Sequence, residues 1–231
     1  MKSIMNNKHF MIRTDKAEIF NCKNQPKGFT LIELMIAMAV GLVVLSAVYA
    51  VFTVQNKQLN KQEQIALMQQ NARMAMDMMT REIMMAGYGA TSALPRCSGT
   101  TTATNMPCVG ITAGNANSIS FSADLDGDED LTADSSNPNE NITYDIYTSS
   151  GILALGRVTN GTRAPVVENI SALTFAYRDA AGVGTTNLLL IRTIQISITA
   201  QTADIDPDLG AVRTFTLTSN VTPRNLGMTV Y

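Results

Sequence analysis

Glu33 has the clearest chemistry to do in this 231-residue chain, because it is the one charge at the head of an apolar run that carries no other from Leu34 to Val54. A carboxylate so placed costs about 2.5–3.5 kcal/mol at mid-bilayer, and less near the interface, unless a cation pairs with it. Its chemistry is therefore ion pairing; the plain alternative is a carboxylate still wetted by headgroup water. A second group lies at Asp124-Leu125-Asp126-Gly127-Asp128-Glu129-Asp130, with Asp134 and Glu140 nearby. Calcium takes six to eight oxygen ligands, and Asp124, Asp126, Asp128 and Asp130 around a glycine turn could supply several. The spacing departs from an EF-hand, since glycine is fourth from Asp124 and Ser135 stands twelfth. Calcium and a solvated acidic turn both remain open, and no other cofactor is expected.

Catalysis has little to stand on. The single histidine, His9, lies in the basic segment before the apolar run, which leaves no imidazole beyond that run for a Ser-His or Cys-His pair or a catalytic zinc. Gly182-Val183-Gly184 lacks the spacing of a dinucleotide loop and reads as a turn. The chain is expected not to be an enzyme.

The elements that must position these residues fall into two regimes. About 21 residues from Leu34 to Val54 span about 30 Å as a helix, enough for one bilayer crossing. Lys2, Lys8, Arg13, Lys16, Lys23 and Lys27 outnumber Asp15 and Glu18 upstream, which places the amino terminus inside and the remainder outside. From Gln55 to Ala86 the chain turns polar but keeps a helical period, with Ile65, Met68, Ala72, Ala75, Met79, Ile83 and Ala86 at steps of three and four, and Gly87 suits a C-cap. Run together from Phe29, these make a helix of about 58 residues and about 87 Å. Its outer half holds Met68, Met74, Met76, Met78, Met79, Met84 and Met85, which suits core packing or adaptable contact with a partner helix.

Beyond Gly87 the pattern becomes strand and turn. Ser118–Ser122, Ile142–Tyr147, Ile152–Leu155, Leu173–Tyr177, Ile191–Ile198 and Val212–Leu217 read as strands, with Thr148-Ser149-Ser150-Gly151 as a hairpin loop. The expected class is α+β, a long amino-terminal helix packed on a carboxy-terminal antiparallel sheet.

Gly28-Phe29-Thr30-Leu31-Ile32-Glu33 resembles the processing motif of type IV prepilins, and the long helix followed by a β-rich head resembles pilins and pseudopilins. Asn71-Ala72-Arg73-Met74-Ala75-Met76-Asp77, Met85-Ala86-Gly87-Tyr88-Gly89 and Val221-Thr222-Pro223-Arg224-Asn225-Leu226 look like the PilW family of minor pilins, with the J-type minor pseudopilins of type II secretion as the sister group. The resemblance implies cleavage by prepilin peptidase between Gly28 and Phe29, N-methylation of Phe29, and docking in which Glu33 meets the free amino terminus of a neighbouring subunit's Phe29. It divides the chain into a leader (1–28), a membrane half of the helix (29–54), an amphipathic half (55–88) and a β-rich periplasmic head (89–231). It also implies an inner-membrane, single-pass subunit that can enter the pilus. The implied partners are other minor pilins, the major pilin and the inner-membrane assembly platform, and the implied role is priming of pilus assembly. No cysteine lies near the carboxy terminus and Ala50 stands about where major pilins carry a helix-bending proline, which favours a minor subunit.

Removal of 1–28 leaves eleven cations against seventeen carboxylates, so the exported part lacks the basic footprint of a nucleic-acid binder. It also leaves Cys97 and Cys108 as an even pair, read as a disulfide, because two thiols alone do not fill a zinc site. A reading from another class, a membrane-tethered periplasmic binding protein, fits the same hydropathy but gives Gly28 and Glu33 no task.

Overall fold

The computed structural model describes residues 28–91, 97, 108–129, 131 and 140–226. Residues 1–27 of the expected leader and Asp130 of the acidic loop lie outside them. The chain divides into two compact units, Met1–Thr53 and Val54–Tyr231.

Helix α1 runs from Leu31 to Met85, ending slightly before the expected boundary at 88. Among the described residues of the first unit it is the only element, and its large apolar side chains there are exposed throughout. By length and composition it can cross a membrane.

In the second unit the helical period has its expected consequence. Met68, Ala72, Ala75, Met79, Ile83 and Ala86 are buried and Ile65 packs against them. The methionines divide by burial: Met68, Met76 and Met79 enter the core, whereas Met74 and Met85 are 49% and 43% exposed.

The α+β class is as expected, with the antiparallel strands in two sheets where one was expected. Strands β1 (Gly110–Gly114), β2 (Ile119–Ser122), β3 (Asn141–Ser149), β4 (Ile152–Thr159) and β5 (Thr162–Glu168) form a five-stranded antiparallel sheet in that order. Strands β6 (Ile170–Arg178), β7 (Thr193–Gln201) and β8 (Thr214–Val221) form a three-stranded one. Alternation of apolar residues fixes which face of a strand is buried but says nothing of where a sheet ends. The break comes at Asn169, a non-glycine residue with φ 61°, between β5 and β6. Its corner is tied by Asn71, whose side chain donates to the Glu168 carbonyl at 3.3 Å, and by the Gln201 N–H donating to the Asn169 carbonyl at 2.8 Å.

The β3–β4 loop is also shorter than expected. Thr148 and Ser149 pair with Leu153 and Ile152, leaving Ser150 and Gly151 as the turn with φ 51° and 86°. Two consecutive positive φ values match the twist of a tight hairpin. Both sheets and α1 share one core, with Phe121, Tyr144, Leu155, Ile194, Ile196 and Met79 almost wholly buried.

Candidate functional site

Thr30 and Glu33 form a reciprocal cap at the start of α1. The Glu33 N–H donates to the Thr30 hydroxyl at 3.3 Å and the Thr30 N–H donates to a Glu33 carboxylate oxygen at 3.4 Å. This is the Thr-x-x-Glu capping box, visible in the sequence as Thr30-Leu31-Ile32-Glu33 and absent from the expectations above. The carboxylate therefore has a task inside its own chain and sits beside helix N–H groups that favour negative charge. Phe29 is 86% exposed, and a Cβ built on Gly28 meets nothing within 4 Å. Among the described residues nothing demands glycine at 28.

The apolar side chains that follow are open: Leu31, Leu42, Leu45 and Tyr49 are 77%, 67%, 64% and 69% exposed. That much exposed aliphatic surface marks a lipid or protein contact.

At the other end of α1 the segments that suggested a minor pilin meet. Gly87, with φ 79°, directs its N–H to the Ser122 carbonyl at 3.0 Å, and the Tyr88 carbonyl accepts from the Asp124 N–H at 3.1 Å. Gly89 has φ 75°, and a Cβ there would lie 2.6 Å from the Asp124 Cβ. The last helix carbonyls are covered by the chain's carboxy-terminal segment: Arg224 N–H donates to the Met84 carbonyl at 3.4 Å and the Asn225 side chain to that of Met85 at 3.3 Å. Met85–Gly89 and Val221–Leu226 are thus two halves of one helix stop.

Asp124, Asp126 and Asp128 bring carboxylate oxygens within 4.8 Å of one another, with Asp124 buried and the other two exposed. Asp124 accepts from the Gly127 N–H at 2.7 Å, Asp126 from the Asp128 N–H at 3.2 Å, and buried Glu140 from the Leu125 N–H at 2.8 Å. Burial, then the carboxylates of Asp126 and Asp124, raises the Glu140 pKa above its ordinary value. Much of this acidity is engaged in shaping the turn itself. Cys97 and Cys108 are joined in a disulfide with Cα atoms 4.8 Å apart; Cys97 donates its N–H to Val109, and the Cys108 carbonyl accepts from the Ser122 hydroxyl. At the Gly182-Val183-Gly184 turn, Asp179 accepts from the N–H groups of Ala181 and Val183.

Two polar ties were not legible in the sequence. Glu82 on α1 accepts from Arg157 at 3.1 Å and from the Tyr144 hydroxyl, and burial followed by the Glu82 carboxylate pushes the Tyr144 phenol above its ordinary value. Lys61 reaches Asp206 at 3.3 Å and also pairs with Asp208, while Arg213 holds Asp206 at 2.6 Å. Partners separated by scores of residues leave no local pattern.

Comparison with known families agrees with this geometry. The Prokaryotic N-terminal methylation motif matches residues 23–49, the stretch that holds Gly28, Phe29, the cap and the exposed apolar helix. Prepilin peptidase-dependent protein B matches residues 61–221, from the Lys61 tie to the last residue of β8. No curated protein matches the chain. An apolar, unpartnered helix start under a prepilin methylation motif, continued into a β-rich unit matched over most of its length, places the chain among the type IV pilin-like minor pilins, where it belongs to the prepilin peptidase-dependent protein B family.

Proposed function

We propose that the protein is a minor pilin of the PilW type, cut by prepilin peptidase between Gly28 and Phe29, methylated on Phe29, and used to prime type IV pilus assembly. It sits in the inner membrane with its β-rich unit in the periplasm, and meets other minor pilins, the major pilin and the assembly platform through the apolar half of α1. It performs no catalysis of its own. The observation that carries this reading is the amino-terminal half of α1, whose large apolar side chains are exposed from Leu31 to Val54 and whose single carboxylate lies in the first turn. A helix of that kind needs lipid in one state and neighbouring subunits in another. A tethered binding protein needs the lipid contact alone.

Glu33 supplies the charge that a neighbour's new amino terminus pairs with. Glu33→Ala is expected to leave cleavage and protein level normal, weaken cross-linking to other minor pilins and reduce surface filaments. Wild-type cross-linking and piliation in that variant would remove Glu33 from the docking role. In the same cells, loss of secretion with pili intact would place the subunit among the J-type pseudopilins.

A further inference from the structure

Two sheets present four edges, and three of them are closed to further pairing. Strand β1 has five residues and a register shift between Ile111 and Ala113. Strand β5 carries Pro165, Arg163 and Glu168, and its pairing shifts at Leu155 and Gly156. Strand β6 shifts between Ile170 and Ala172, and its outer groups are taken: the Phe175 N–H donates to the Ala116 carbonyl at 2.7 Å and the Tyr177 carbonyl accepts from Thr185 at 3.0 Å. Short length, bulges, proline, charge and cover are the devices that keep an edge from adding a strand.

Strand β8 has none of them. Thr214-Phe215-Thr216-Leu217-Thr218-Ser219-Asn220-Val221 holds no proline and no charge, and it pairs with β7 over eight residues without a shift. Phe215 and Leu217 turn toward the core, while Thr214, Thr216, Thr218 and Asn220 are exposed. The exposed face is already ordered, since Thr216 and Thr218 share hydroxyl hydrogen bonds with Thr199 and Ser197 at 2.9 and 3.0 Å. Among the described residues no backbone group outside β7 pairs with β8. An edge strand turns every second N–H and C=O outward, and the ligand complementary to such a row is another extended peptide.

We propose that the free edge of β8 accepts a strand from another subunit of the assembly proposed above, extending the three-stranded sheet across a subunit boundary. The incoming strand is uncharged and rich in Thr, Ser, Val or Ile, because Thr216, Thr218 and Asn220 offer no countercharge to a residue directly opposite. The β8 face also has no cation to hold a phosphate or a lipid headgroup. Main-chain bonds supply the affinity in such a contact, and alternate side chains set its register.

The test uses the full chain in its own membrane. A photo-crosslinking phenylalanine is placed in turn at Thr214, Thr216, Thr218 and Asn220, and separately at Leu45 in the apolar helix and at Thr174 on the same face of β6. The expected result is an adduct with one pilus-assembly subunit along β8, in which each two-residue step moves the attachment point by two residues on the partner, with no adduct at Thr174. Thr216→Lys with Thr218→Lys should abolish the adduct at Asn220 and leave the one at Leu45. Adducts at Leu45 without the two-residue ladder would overturn strand addition and leave the assembly reading standing. Absence of adducts at Leu45 and β8 alike would overturn both.

Discussion

Glu33 caps its own helix, and a single substitution separates that cap from the docking role proposed for its charge. As the last residue of a capping box it accepts from the Thr30 N–H, a role glutamine fills equally well; in the proposed assembly its charge meets a neighbouring amino terminus. Glu33→Gln keeps the cap and removes the charge, so it is expected to weaken cross-linking as much as Glu33→Ala. Retention by Gln alone would make the cap, and not the charge, the reason for Glu33. The capping box is legible in Thr30-Leu31-Ile32-Glu33, where the same carboxylate also bears the cost of a charge in an apolar run. The acidic loop was legible as a cluster, and its carboxylates accept from the N–H groups of Gly127, Asp128 and Leu125. Local turn-making of this kind predicts a melting temperature unchanged by millimolar calcium or by chelator. A rise with calcium that is lost in Asp124→Asn would assign the loop to the ion.

Elements with strong periods were readable, and those held by remote partners were not. The outer half of α1 has its expected face in the core because steps of three and four repeat without a break. Strand β5 has no clean alternation, because Thr162, Arg163, Ala164 and Pro165 are exposed in a row, although Asn160-Gly161, with φ 49° and 69°, is a strong hairpin signal immediately before it. Strand β1 is short, bulged and bounded by Gly110 and Gly114. The end of α1 offers the sharpest test at this scale. Gly89→Ala places a Cβ in contact with Asp124 and keeps φ positive, so it is expected to cost about 1–3 kcal/mol from backbone strain alone, read as a lowered denaturation midpoint of the second unit. An unchanged midpoint would mean that the Tyr88–Asp124 contact is dispensable.

At the scale of the molecule, the second unit folds around its own core and holds its part of α1 with ion pairs, while the first exposes apolar surface. The Asp206 carboxyl is held down at about 2, first by the Asp208 N–H, then by Arg213 and Lys61. An unfolded aspartate titrates near about 3.9, so this contribution is complete above about pH 4 and lost as pH falls through about 2. Asp206→Asn is expected to be less stable than wild type at neutral pH, with the difference closing as pH falls from about 4 to about 2. A difference that stays constant to pH 2 would detach stability from this carboxylate. The membrane half was the most legible part of the chain, because a bilayer writes its thickness into an uninterrupted apolar length. The central claim is that this length is exposed to neighbours by a cut at Gly28, and mass spectrometry of the amino terminus of the protein taken from membranes tests it most directly. The account predicts N-methylated Phe29 as the first residue; an amino terminus at Met1 or at Val51 would contradict it.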